Sequence, residues 1–154
     1  LVEGICRLPN LRYTTFLQDE LVAVVHTGSK LSLPDEITPE DLSRIPLVLR
    51  ERGSGTLDVF ERALSEHNMK LSSLNVLLYL GSTESIKLFL EHTDCIGIVS
   101  IRSISRELLS GTFRVIEIKG MPMLREFCFA QPQGQESGLS QVLMQFAMHH
   151  NKKL

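Results

Sequence analysis

A glycine-rich turn over residues 50–56 (Arg-Glu-Arg-Gly-Ser-Gly-Thr) constrains the fold more than any other feature of this chain. Residues 45–49 before it are a short apolar run, typical of a buried strand, and apolar residues after it recur at helical spacing. A strand that enters a helix through such a turn leaves backbone N–H groups uncovered at the positive end of the helix dipole. The turn is therefore suited to holding an anion.

A second turn of the same kind, residues 81–83 (Gly-Ser-Thr), also follows an apolar run and precedes a helical pattern. For either turn alone, the simpler interpretation is a serine that caps its own helix, at Ser54 or at Ser82. Two such turns, each after a predicted strand, favour a ligand cleft. Small residues allow close approach and hydroxyls donate hydrogen bonds, so the cleft could bind a carboxylate, sulfate or phosphate.

Predicted strands and helices alternate along the chain, which indicates an α/β fold. The predicted strands are residues 1–6, 21–25, 47–50, 74–80, 96–99, 113–118 and 125–129. The predicted helices are a short one after Thr38 that ends before Pro46, one after Gly55, one after Ser82, and two over residues 103–109 and 139–149. Residues 27–30 and 131–138 are polar and turn-rich, and are predicted loops.

Composition limits the function classes. With 154 residues, 43% of them hydrophobic, the chain can bury a core as one compact domain or two small lobes. It contains no apolar run of about 18 residues and no signal-peptide pattern, so we expect a soluble, cytoplasmic protein without a membrane partner. The net charge is −2 and the Lys and Arg residues are scattered, which argues against DNA binding by this segment itself.

The sequence gives no support for catalysis, a metal or a cofactor. Cys6, Cys95 and Cys128 are far apart and odd in number, which predicts buried free thiols rather than disulfides. The five histidines show no metal-ligand spacing with the cysteines. Residues 53–56 fit neither a Walker A loop nor a dinucleotide fingerprint, and the Gly-x-Ser-x-Gly elbow of serine hydrolases is absent.

Several segments stand in a distinctive order and spacing. They are Leu-Val-Glu-Gly (1–4), Phe-x-x-Asp-x-Leu-Val-Ala-Val-Val (16–25), Ile-Thr-Pro-Glu-Asp-Leu (37–42), Pro-Leu-Val-Leu-Arg-Glu (46–51), Gly-Ser-Gly-Thr (53–56), Leu-Gly-Ser-Thr-Glu-Ser-Ile-Lys (80–87), Ile-Gly-Ile-Val-Ser (96–100) and Glu-Leu (107–108). This ordered set strongly resembles the effector-binding, or substrate-binding, domain of LysR-type transcriptional regulators over nearly the whole chain.

The resemblance implies a fold similar to type 2 periplasmic binding proteins, with two α/β lobes joined by crossing strands and a small molecule between them. Residues 1–25 and 125–154 would form lobe one, and residues 26–124 lobe two. Family domains begin with an earlier strand, so lobe one is expected to be incomplete here. Family members also carry an N-terminal winged helix-turn-helix that binds promoter DNA, expected outside this chain, and they usually form tetramers.

By the same resemblance, an anionic effector would bridge the lobes and shift a conformational equilibrium sensed by the DNA-binding domains. Leu57 stands where an arginine often follows Gly-Ser-Gly-Thr, and residues 91–95 replace a glycine-containing link, so the effector of a relative does not transfer. Three alternatives stay open: a stand-alone solute-binding receptor of the same fold, an enzyme, and an oligomerisation module. The expected effector-binding residues are Ser54, Gly55 and Thr56 at one helix start, Ser82 and Thr83 at the other, and Phe16 and Ile98 as cleft walls.

Overall fold

A computed structural model describes residues 2–3, 8–134 and 138–151 of the chain. Its strands are β1 (Val2–Glu3), β2 (Leu11–His26), β3 (Glu36–Ile37), β4 (Leu47–Arg50), β5 (Val76–Leu80), β6 (Ile96–Ser100), β7 (Phe113–Ile118) and β8 (Met123–Pro132). Its α-helices are α1 (Gly55–Glu66), α2 (Thr83–His92), α3 (Ser105–Leu109) and α4 (Gly138–Asn151). Short 3₁₀ helices cover Pro39–Ser43, Leu71–Ser73 and Ile101–Ile104. None of the helices in these described ranges is both long and apolar enough to cross a bilayer.

The chain divides into two units, residues 20–124 and residues 1–19 with 125–154. The strands β2 and β8 both run across this division, since β2 spans Leu11–His26 and β8 spans Met123–Pro132. The lobe limits expected from the resemblance, with a first boundary after residue 25, stay a prediction.

The larger unit is built on a mixed sheet in the order β5-β4-β6-β2-β7-β3. Strands β4, β5 and β6 are parallel neighbours, whereas β2 runs antiparallel to β6 and β7. Parallel strands need crossover connections, and here helix α1 links β4 to β5 while α2 links β5 back to β6. Because crossovers are right-handed and these two run in opposite directions, the helices lie on opposite faces of the sheet.

Two hydrophobic clusters confirm that division between faces. Phe60 and Leu64 of α1 pack with Leu47, Leu49 and Ile98 of the sheet. The second cluster contains the residues that alternate with these along the strands, together with two from α2: Val48, Val99, Ile86 and Leu90.

Gly97 in β6 allows α2 to lie close to the sheet. A Cβ atom at this position would be 2.9 Å from Cγ2 of Ile86 and 3.1 Å from Cδ1 of Leu90. Both distances are shorter than an ordinary carbon–carbon contact, so only glycine fits without a movement of the helix.

In the smaller unit, β8 lies between β1 and the first half of β2 and pairs antiparallel with β1. An ion pair joins the two long strands, with Arg125 Nη2 at 2.7 Å from Oδ2 of Asp19 and both side chains largely buried. The rings of Phe16 and Phe129 meet edge to face, with centroids 5.1 Å apart. Helix α4 leaves large apolar side chains exposed, namely Leu139, Val142, Leu143 and Phe146.

The sequence pattern underestimated the first long strand. β2 begins at Leu11, ten residues before the predicted strand 21–25, because half-exposed residues alternate along its first half and give little apolar signal. The helix predicted after Thr38 is a 3₁₀ helix, and the one predicted over residues 103–109 is a 3₁₀ helix followed by α3. Cys6, most of the predicted strand 1–6 and residues 135–137 of the predicted loop lie outside the described residues.

Candidate functional site

The start of α1 follows β4 through the first glycine-rich turn. Gly53 has a φ of 86°, in the left-handed region that favours glycine. Ser54 is the N-cap, with extended backbone angles, and its Oγ accepts a hydrogen bond from the N–H of Leu57 at 3.2 Å. Gly55 and Thr56 are the first two helical residues, and the Thr56 side chain is buried. The hydroxyl of Ser54 thus accepts a hydrogen bond from one of the amides at this helix start.

The start of α2 has the same design. Ser82 is the N-cap, and its Oγ accepts a hydrogen bond from the N–H of Ser85 at 3.1 Å and lies 2.8 Å from Oγ of Ser85. Thr83 is the first helical residue and is half-buried, and Glu84 follows it in the first turn. The hydroxyl groups of Ser82 and Thr83 and the first amides of α2 lie together at this end.

Sheet pairing brings the two helix starts to one edge. β4 pairs with β5 in parallel up to Arg50 and Leu80, and the N–H of Glu51 still donates to the carbonyl of Leu80 at 3.1 Å. Both turns therefore open at the carboxyl ends of neighbouring parallel strands, where α/β proteins bind ligands. The positive ends of the two helix dipoles approach this edge from opposite faces of the sheet.

A third turn ends at the same edge, because β6 is the parallel neighbour of β4. Oγ of Ser100 accepts a hydrogen bond from the N–H of Arg102 at 3.2 Å, and Oγ of Ser103 donates to the carbonyl of Ser100 at 2.6 Å. Ile101 in this turn lines a cavity. The sequence pattern did not single out this turn, although its serine hydroxyls after a strand were a usable signal.

The cavity beside Ile101 has a volume of about 450 Å³, within the usual range for a small-molecule site. Most of its wall is apolar and comes from β2, β7 and residues 120–123 of the larger unit. Glu20 and Glu117 are the two acidic residues of its wall. The cavity suits the uncharged body of a small molecule better than its anionic group, because carboxylates on the wall repel an anion.

The charged residues next to the first turn are paired. Nε and Nη2 of Arg50 donate to Oε2 and Oε1 of Glu51 at 2.7 and 2.9 Å. The hydrogen bonds from Arg50 hold the pKa of Glu51 below its usual value, so this carboxyl group stays ionised and is not suited to act as a general acid.

The possible nucleophile and metal ligands are also accounted for. Cys95 is fully buried, and burial, with a smaller effect from the charge of Asp94, raises the pKa of its thiol to about 11. The thiol is therefore protonated and a poor nucleophile at neutral pH. Across residues 8–134 and 138–151, no three His, Cys, Asp or Glu side chains are grouped so that they could hold a metal ion.

The structure separates the predicted site residues into two groups. Ser54, Gly55, Thr56, Ser82 and Thr83 all stand at the starts of α1 and α2, at one edge of the sheet.

The second group contains the two residues expected to form cleft walls. Phe16 belongs to the smaller unit, against Phe129. Ile98 is 1% exposed and packs within the core on the α1 side of β6. The role of Phe16 and Ile98 as cleft walls stays a prediction.

Comparison with known proteins gives one family. Residues 1–152 match the family model described as "LysR substrate binding domain". Among curated proteins, the HTH-type transcriptional activator CmpR of Synechocystis is 29% identical over 93% of this chain and 46% of its own length. The chain therefore spans less than half the length of this relative.

Two solved regulatory domains have the same fold. The CcmR regulatory domain of Synechocystis, solved in complex with 2-PG, superposes with a TM-score of 0.81 at 24% identity, over 99% of this chain and 73% of that one. The effector-binding domain of QuiR, solved with shikimate, gives a TM-score of 0.76 at 19% identity, over 97% of this chain and 69% of that one. The predicted α/β class and the periplasmic-binding-protein-like fold are confirmed.

Proposed function

The chain belongs to the LysR substrate-binding domain family, the effector-binding part of LysR-type transcriptional regulators, and from this premise we propose that it binds a small anionic metabolite. The role is sensing rather than catalysis, since the matched CmpR relative is a transcriptional activator and Cys95 is buried and protonated. We further propose that the whole protein acts in the cytoplasm as a homo-oligomer and contacts promoter DNA through a separate domain.

The observation that carries the proposal is the position of two helix starts at one edge of the sheet. Ile101, in the third turn at that edge, lines a cavity of about 450 Å³. An anionic group at this edge accepts hydrogen bonds from amides of α1 or α2 and from the hydroxyls of Ser54, Thr56, Ser82 or Thr83. The uncharged part of the metabolite extends toward the apolar wall at Ile101. Shikimate, the ligand of the QuiR structure, is a carboxylate and fits this chemical class.

Effector binding controls DNA binding in this proposal by shifting a conformational equilibrium. The metabolite stabilises whichever arrangement of the domain places both helix starts around its anionic group. The size of the response equals the difference between the effector's binding free energies for the two arrangements, typically about 1–3 kcal/mol. A metabolite that contacts only one of the two helix starts would bind without a regulatory response.

Isothermal titration calorimetry of the full-length regulator tests the proposal with a panel of acidic metabolites that includes shikimate, sulfate and phosphate. One member should bind saturably, and Gly55→Leu and Ser82→Leu should each weaken its binding at least about tenfold, because a bulky side chain blocks close approach to the amides. Ser65→Leu is the control, since Ser65 is exposed and lies in the last turn of α1, at the opposite end of that helix from Gly55. Equal binding of every acid to wild type and all variants would refute the proposed site.

A further inference from the structure

We propose that Lys87 is a positioning residue that keeps the carboxylate of Glu84 away from the start of α2, so that the anionic group of the effector has this helix end to itself. The inference rests on the proposed function and assigns to the same site a residue that controls its charge.

Three hydrogen-bond acceptors surround the Lys87 ammonium group. Nζ lies 2.8 Å from Oε1 of Glu84, 2.7 Å from Oε1 of Glu107 and 3.3 Å from the carbonyl oxygen of Ser103. Glu84 is on the same helix three residues earlier, whereas Glu107 and Ser103 belong to the segment that follows β6. Lys87 is thus the shared cation of two carboxylates on separate elements.

The two carboxylates differ in how firmly they are held. The Glu107 side chain is 21% exposed and packs against Lys87, which is itself 12% exposed. The Glu84 side chain is 74% exposed, so its position depends mainly on the bond to Lys87. A helix start attracts any nearby carboxylate, and Glu84 stands in the first turn of α2. Without Lys87, Glu84 becomes a competitor for the amides that the effector requires.

Lys87 also connects the helix start to the wall of the cavity. Its bond to the carbonyl of Ser103 reaches the turn that contains Ile101, a residue of the cavity wall. Oγ of Ser103 bonds back to the carbonyl of Ser100, which closes the turn. One side chain therefore fixes the start of α2 relative to the turn after β6, and it sets the local charge as well.

The proposal predicts opposite effects on anion binding for substitutions at Lys87 and at Glu84. Lys87→Met should weaken anion binding about three- to tenfold, since it leaves two carboxylates uncompensated near the site. Glu84→Gln should strengthen anion binding about two- to fivefold, because it removes a negative charge from the first turn of α2, where it repels an anion even while Lys87 holds it. The double variant Lys87→Met/Glu84→Gln should return toward the wild-type affinity. If Lys87 merely held the fold together, the loss caused by Lys87→Met would be equally large in the Glu84→Gln background.

The test is a titration of the full-length regulator with sodium sulfate, followed by the amide NMR signals of Thr83 and Glu84 at low ionic strength. Glu91→Gln is the matched control, because it makes the same charge change seven residues along α2, about 10 Å from Glu84. Increasing ionic strength with sodium chloride should reduce the differences among the variants.

Several results overturn the inference. If Glu84→Gln does not strengthen saturable sulfate binding, if Glu91→Gln strengthens it as much, or if the double variant fails to restore it, the outcome contradicts the role of Lys87 and leaves the proposed function intact. Absence of saturable sulfate binding at these amides in wild type contradicts both proposals for the α2 start. Opposite shifts for Lys87→Met and Glu84→Gln, with restoration in the double variant, are the expected result.

Discussion

Replacement of Gly97 by alanine tests the close approach of α2 to the sheet, on which the position of the second helix start depends. The new Cβ would lie 2.9 Å from Cγ2 of Ile86 and 3.1 Å from Cδ1 of Leu90, so each contact is short by roughly 0.7–0.9 Å relative to a normal carbon–carbon contact. Ile86 is β-branched and stiff within its helix, so its methyl group has no inexpensive rotamer to escape into. The helix itself must therefore move away from β6.

The magnitude follows from two opposing effects. Overpacking of a core typically destabilises by about 1–3 kcal/mol. Loss of glycine entropy from the unfolded chain stabilises by about 0.4–1 kcal/mol. We expect Gly97→Ala to lower the free energy of unfolding by about 1–2 kcal/mol, which is about 2–4 °C in melting temperature for each kcal/mol.

Urea denaturation followed by circular dichroism measures this change. Gly81→Ala is the matched control, because nothing lies within 4 Å of a Cβ built at Gly81 and its backbone is outside the left-handed region. The control should be neutral or slightly stabilised. Adding Ile86→Leu to Gly97→Ala should restore part of the loss, since leucine has no Cγ2 branch at Cβ. A Gly97→Ala variant as stable as Gly81→Ala would show that α2 does not pack on β6 as described.

Two further predictions concern ion pairs. Asp19→Asn should lower the free energy of unfolding by about 3–5 kcal/mol in urea denaturation, because Arg125 loses a buried partner. Asp35→Asn, which breaks the exposed pair with Arg114, should lower it by at most about 1 kcal/mol. Equal losses in the two variants would refute the buried pair. Hydrogen bonding from Lys87 lowers the pKa of Glu107 in the folded protein. The ionised carboxylate therefore stabilises the fold at pH values above its unfolded-state pKa, and this contribution is lost as the pH falls through its folded-state pKa. The stability difference between wild type and Glu107→Gln should therefore be constant from pH 7 to about pH 5 and shrink below about pH 4.5, and a difference that grows in acid would contradict the pairing.

Several features could be predicted from short stretches of sequence because their causes are local. The strand–turn–helix pattern offers helix capping by Ser54 and Ser82 as the simpler interpretation of each turn, and both accept a hydrogen bond from the amide three residues later. The helices after Gly55 and Ser82 followed from apolar spacing. The first half of β2 was missed because its strand geometry comes from pairing with β8 rather than from its own pattern.

The candidate site was predicted less completely than the fold. Phe16 and Ile98 came only from family resemblance, and the structure places one against Phe129 and the other in the core. The turn at Ser100 and the cavity wall at Ile101 were missed, because no local pattern says which loops meet at a sheet edge.

The sequence by itself determined the α/β class, the two anion-suited turns and the family, because strand and helix periodicity and turn chemistry act over about ten residues. Only the tertiary structure decided that β4, β5 and β6 are parallel neighbours, which brings both helix starts to one edge from opposite faces. It also decided that Lys87 meets Glu107 and that Asp19 meets Arg125, pairs separated by 20 and 106 positions along the chain. Such contacts arise from the order in which strands assemble, and no spacing within the sequence specifies that order.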